Sequence, residues 1–132
     1  MSDILALIGR ILLSVLFVWG GWGKLMTAAA TQAYIAKSGL PMPEAAYALA
    51  VFIELGVGLA LVLGLFTRLS GLVLAVWCIV TAIQFHSNFA DLNMEIHFLK
   101  NVGIAGGMVY VVAFGGGAFS LDALIARRRV GV

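Results

Sequence analysis

Glu54 is the only polar side chain in the sixteen residues from Ala48 to Leu63 (ALAVFIELGVGLALVL). A charge at the centre of a membrane helix costs about 3 kcal/mol by insertion scales, so such a group is paired, hydrated or neutralised, and it marks a functional site by default. The other residues with usable chemistry are Lys24 and Trp22 at the outer end of the first span, then His86, Lys100 and Asn101 further along the chain. With Glu54 they form the candidate ligand-binding set. Arg10 and Arg68 are read as structural charges. No catalytic residue is assigned, and no metal site is expected.

The chemistry of that set is recognition of a small polar group, or passage of a proton. A quinone ring would suit it. Trp19, Trp22, Phe52 and Phe85 would supply aromatic walls, and His86, Lys100 or Asn101 would donate to two carbonyl oxygens. Helical side chains lean toward their own N-terminus, so Glu54 leans outward. At 1.5 Å per residue Lys100 lies about 7 Å shallower than Glu54, and Arg10 about 8 Å deeper. Lys100 is the expected first partner of Glu54 and Arg10 the second, with a purely structural ion pair as the plainer alternative. Lys24, Lys37 and Arg68 read as interfacial anchors that snorkel outward. His86 and His97 read as hydrogen-bonded interfacial histidines in preference to a haem or metal pair. Cys78 and the scattered methionines read as packing.

The elements that must position these groups are membrane helices. Of 132 residues, 63% are hydrophobic and 11% charged, and the mean hydropathy is +1.10. Soluble domains average about a quarter charged residues. At roughly twenty residues per span the chain holds four spans, expected at about 4–25, 45–66, 69–89 and 96–119. The fold class is therefore all-α integral membrane: one four-helix antiparallel bundle over 1–132. Arg10, Arg68 and Arg127 to Arg129 fall on the side of both termini, which is expected to be cytoplasmic. The first loop, from Thr27, is expected to form a short interfacial helix with Tyr34 and Ile35 facing lipid. It breaks at Ser38-Gly39-Leu40-Pro41, and Pro43-Glu44 starts the second span. Gly56-x-Gly58, Gly64 and Gly103-x-x-x-Gly107 suit close helix contact. Thr67 to Ser70 is expected to be the turn between the second and third spans, and 127–129 a basic tail.

Composition also excludes. One cysteine forms no internal disulfide, and without Cys-x-x-Cys the chain alone carries no dithiol chemistry. The net charge of +2 comes mainly from the tail and reports orientation, so no nucleic-acid partner is expected. The first apolar run lacks a small-x-small cleavage pattern and is read as a retained span. The expected partner is the lipid bilayer, and spare glycine faces would admit a homodimer.

Arg10, Gly20-x-x-Gly23-Lys24, Glu54-Leu-Gly-x-Gly-Leu, Gly64-Leu-Phe-Thr-Arg68, Phe85-His86 and Lys100-Asn101-x-Gly103 together resemble the DoxX family over nearly the whole chain. The resemblance implies a multi-pass protein of the bacterial inner membrane. Some members of that family are associated with quinone-linked oxidation, as in thiosulfate:quinone oxidoreductase, or with oxidative-stress complexes. What it implies here is a component of a quinone-linked redox or oxidative-stress system, a subunit of an oxidoreductase. The chain has no redox cofactor motif of its own, so quinone is the implied ligand and a soluble or membrane redox partner must supply electrons. The rival readings are a small-molecule or proton carrier and a structural or assembly subunit of a membrane complex.

Overall fold

The computed structural model describes residues 1–130; the last two residues of the expected domain, Gly131 and Val132, lie outside the described residues. The regular elements among the described residues are all helices, in the order α1 (Ser2–Met26), α2 (Ala28–Lys37), α3 (Pro43–Val51), a π-helical segment (Phe52–Val57), α4 (Gly58–Leu63), α5 (Thr67–His86), α6 (Leu92–Phe114) and α7 (Leu121–Val130). Among the described residues four helices are long and apolar enough to cross a membrane: Ser2–Met26, Pro43–Leu63, Thr67–His86 and Leu92–Phe114. The second of these joins α3, the π segment and α4 without a break. A π segment inside an α-helix adds a residue to one turn, and such bulges occur frequently at functional sites. This one contains Glu54.

The first and second spans cross where both carry glycine. A Cβ on Gly21 would lie 2.7 Å from the backbone nitrogen of Leu55, and a Cβ on Gly58 would lie 3.3 Å from Phe17 Cβ. Small residues let the two backbones meet, and with lipid as the solvent that packing is what drives association. The core beneath is Phe17, Leu61, Leu74, Cys78 and Met108. Cys78 is buried there, as its apolar surroundings indicated.

Several expected boundaries move. The turn between the second and third spans is Gly64-Leu65-Phe66, and Thr67 already belongs to α5. Gly64 holds a left-handed φ of 69° and Phe66 one of 45°. Only glycine adopts that region freely, and Gly64 has a second constraint: a Cβ would sit 2.5 Å from Ser120 Cβ. The fourth span stops at Phe114, short of the expected Phe119, because Gly115 and Gly117 turn the chain at φ 77° and 71°. What reads as a basic tail is a ten-residue helix, α7. The interfacial helix after the first span forms as α2, with Tyr34 exposed. Ile35 does not face lipid; it is 5% exposed, because adjacent helical residues point about 100° apart and one of the two must face the bundle.

The helix ends nearest the N-terminus are tied by a polar clasp. Asp3 Oδ1 accepts the Ala118 N–H at 2.8 Å. The Arg10 guanidinium donates to the carbonyls of Gly116 at 2.6 Å and Phe119 at 2.8 Å. Asp122 accepts the backbone N–H groups of Phe66 and Thr67 at 2.8 and 2.7 Å, and the Thr67 hydroxyl at 2.7 Å. The loop after the fourth span is thus bonded to α1, and the first turn of α7 to the start of α5.

Candidate functional site

Glu54 is 8% exposed, and each of its carboxylate oxygens has a partner. Lys24 Nζ donates to Oε2 at 2.6 Å, and Trp77 Nε1 donates to Oε1 at 3.1 Å. The partner is therefore neither Lys100 nor Arg10. The physical reason is the lean of helical side chains toward their N-terminus. Lys24 closes α1, so its stem bends back into the membrane toward the acid; it does not snorkel out. Lys100 opens the fourth span and leans outward, and it is exposed on α6, which packs chiefly against α5. Arg10 neither reaches Glu54 nor snorkels to join Arg68. It is 3% exposed, and its two terminal nitrogens donate to the clasp carbonyls.

Room for the pair comes from α1. A Cβ on Gly20 would stand 3.0 Å from Glu54 Oε2, so the glycines that let the helices cross also leave space for the carboxylate. Tyr47 adds a bond from its hydroxyl to the Lys24 carbonyl at 3.3 Å, covering a free acceptor at the end of α1.

Glu54 and Lys24 form the floor of a cavity of about 200 Å³. One wall is Ala46, Ala50 and Glu54, spaced four apart on the second span; the facing wall is Trp77, Thr81 and Phe85, with the same spacing on α5. Residues four apart stack on one helix face, and the two alanines leave the void between the helices. Thr31, Tyr34 and Ile35 of α2 cover it, with His86 at its outer end. Tyr34 stacks on Phe85 with ring centroids 5.6 Å apart, and Gln84 Nε2 donates to the Ser38 carbonyl at 3.2 Å, holding the loop beside α5. Nine residues separate Trp77 from His86, a rise of about 13.5 Å, so a single ring on the floor does not also reach His86.

Of the sequence-derived set, Lys24, Glu54, His86 and Phe85 border this cavity, while Trp22, Lys100, Asn101, Trp19 and Phe52 do not. Trp19, Trp22 and Phe52 are exposed on the outside of the bundle, where tryptophan suits the membrane interface. Asn101 donates back to the His97 carbonyl at 3.0 Å. Arg68 is exposed at the opposite end of α5 from His86, in a different cleft. His86 stacks on His97 at 5.1 Å, and its buried Nδ1 has no hydrogen-bond partner, unlike the bonded histidine expected. Among the described residues no three His, Cys, Asp or Glu side chains gather as a metal site would require. Sequence reasoning missed Trp77, Thr81, Ala46 and Ala50. The four-residue spacing of these two columns was their signal.

Two proteins of Escherichia coli (strain K12) are similar to this chain. The inner membrane protein YqjF is 38% identical over 131 residues, covering 97% of each chain. The inner membrane protein YphA is 35% identical over 125 residues, covering 90% of this chain and 89% of its own. No solved structure matches. With four helices able to cross a bilayer, these relatives identify a multi-pass inner-membrane protein. The DoxX family model matches residues 5–87, a stretch that includes the paired Lys24 and Glu54 and the facing Trp77, and the chain belongs to the DoxX family.

Proposed function

We propose that the chain is the membrane-embedded ligand-binding component of a quinone-linked redox or oxidative-stress system, and that the headgroup of a quinone-like molecule sits on the Glu54–Lys24–Trp77 floor. The observation that carries this reading is the cavity: apolar and aromatic walls above a paired charge, the composition of a small-molecule site. At about 200 Å³ it is smaller than sites for drug-sized ligands, which run from about 300 Å³ upward. It suits one ring, with any isoprenoid tail left in lipid. Lys24 has three N–H donors and spends one on Glu54, so others remain for a ligand carbonyl. Glu54 can accept from a hydroquinone hydroxyl.

Trp77 gives the test its readout, since quinones quench indole fluorescence on contact. In a Trp19→Phe, Trp22→Phe background Trp77 is the sole tryptophan. Ubiquinone or menaquinone analogues should then quench saturably. Ala46→Leu, which fills the void without touching the ion pair, should abolish saturation, and Glu54→Gln should weaken binding about tenfold or more, by loss of a charged hydrogen bond. Quenching that rises linearly with quinone, unchanged by Ala46→Leu, would overturn the reading. One observation favours a second function: both Glu54 oxygens are already partnered, as in a clamp holding the helices of a membrane-complex subunit. Absence of saturable quenching in the otherwise unaltered cavity would leave that structural role in its place.

We also infer that 1–132 is a single bundle whose spans alternate in direction, with both termini in the cytoplasm. Support comes from the bonds between the start of α1 and the loop after α6, and from the arginines at that end. Alkaline phosphatase fused after Arg129 should be inactive and fused after Gly39 active; the reverse pattern would invert the topology.

A further inference from the structure

We propose that α7 is an interfacial helix that seats on anionic phospholipid headgroups, recognised by Arg127, Arg128 and Arg129 together with Arg68. Placement is the first support. Only six residues separate the end of α6 from the start of α7; that loop is bonded to Asp3 and Arg10, and Asp122 in the first turn of α7 is bonded to the start of α5. The helix therefore starts where three spans end, at the boundary of the apolar layer.

Its side chains match that boundary. Leu121, Leu124 and Ile125 fall on one stripe, and Leu124 and Ile125 are 45% and 40% exposed, so the protein leaves this stripe largely uncovered. The three arginines follow directly and are exposed. Between Gly115 and Val130 the single acid is Asp122, and its oxygens are taken by Phe66 and Thr67. Among the described residues the one ion pair is Lys24–Glu54, so these arginines have no carboxylate partner there.

A cleft of about 540 Å³ opens where Arg68, Gly116 and Ala123 meet. Exposed Phe66 and Leu69 border it as well. The cleft is therefore part apolar and part cationic, as an acyl chain and its phosphate require. A short basic helix with an apolar stripe binds through buried apolar area plus attraction to anionic lipid. Because Asp122 sits in α7 and caps α5, headgroups that seat α7 also hold the clasp that joins the spans.

The test uses the full chain in lipid nanodiscs of phosphatidylcholine, with and without about a third phosphatidylglycerol. An environment-sensitive fluorophore is placed at Ile125→Cys in a Cys78→Ala background. Three to four arginines near an anionic surface should shift seating on the order of a hundredfold. The readout is blue-shifted emission and a several-fold fall in acrylamide quenching with the anionic lipid only. About 1 M salt should reverse it in the unaltered tail, and Arg127→Gln, Arg128→Gln, Arg129→Gln should lose it while the bundle stays folded. Equal quenching in both lipids would overturn the proposal. So would full protection by inorganic phosphate in neutral nanodiscs, which would assign the arginines to a free anion.

Discussion

Lys24→Met is expected to destabilise the protein by about 2–4 kcal/mol, and adding Glu54→Gln to it should restore much of that loss. Removing one member of a buried ion pair typically costs about 3–5 kcal/mol, because the other charge stays behind uncompensated. The lower range applies here because the Lys24 side chain is 31% exposed. Without Lys24, Glu54 keeps the Trp77 N–H alone, in a cavity whose other walls are mostly apolar. In the double variant the site is neutral, and the glutamine carbonyl still accepts from Trp77. The two substitutions should therefore be non-additive by about 2 kcal/mol. Unfolding of the detergent-solubilised protein, by heat or by titrated denaturing detergent, measures the cycle. Additive losses would mean that Lys24 is an interfacial anchor after all and that its contact with Glu54 contributes nothing. Because the cycle needs no ligand, its outcome is separate from the question of what the cavity binds.

The cycle also shows which parts of the site could be read in advance. Glu54 was legible, since one acid among fifteen apolar neighbours must be paired, hydrated or neutralised in a membrane. Its partner was not. The choice between Lys24 and Lys100 depends on which end of a helix each occupies: the lean that carries Glu54 outward carries Lys24 inward and Lys100 away. The spans were legible to within a few residues, because apolar runs near twenty residues have one interpretation in a bilayer. The π segment was not, since apart from Glu54 the residues Phe52 to Val57 are as apolar as the α-helix around them. The column Trp77, Thr81, Phe85 shows a plain four-residue spacing, but that spacing says nothing until Ala46 and Ala50 are known to face it. At the inner end, the three arginines drew attention away from Leu121, Leu124 and Ile125, whose spacing marks α7 as a helix. Asp122 gave no signal in the sequence, because its partners lie 55 and 56 positions earlier in the chain.

Asp122 accordingly carries the largest expected effect at the inner end. Asp122→Ala removes acceptors from two backbone N–H groups and one hydroxyl at once. The two N–H groups belong to Thr67, where α5 starts, and to Phe66 just before it, which have no intrahelical partner. Helix caps are worth about 1–2 kcal/mol, and hydrogen bonds to charged groups about 1.5–3 each, though not additively. A loss of about 3 kcal/mol is expected. The effect should also depend on pH. Burial pushes the Asp122 carboxyl up, but the hydrogen bonds from Thr67 and Phe66, helped by the Arg10 charge, outweigh it and hold the carboxyl below its ordinary value of 3.8. A carboxyl lowered on folding adds stability that is complete above the unfolded value and is lost as pH falls through the folded one. The stability difference between the native protein and Asp122→Asn should thus be flat above about pH 5 and shrink below about pH 4. Taking the difference cancels every contribution that the two proteins share. A gap that stays constant as acid is added would show that the cap works through its shape alone. A gap that closes would place the charge of one α7 residue in direct control of how the third span begins.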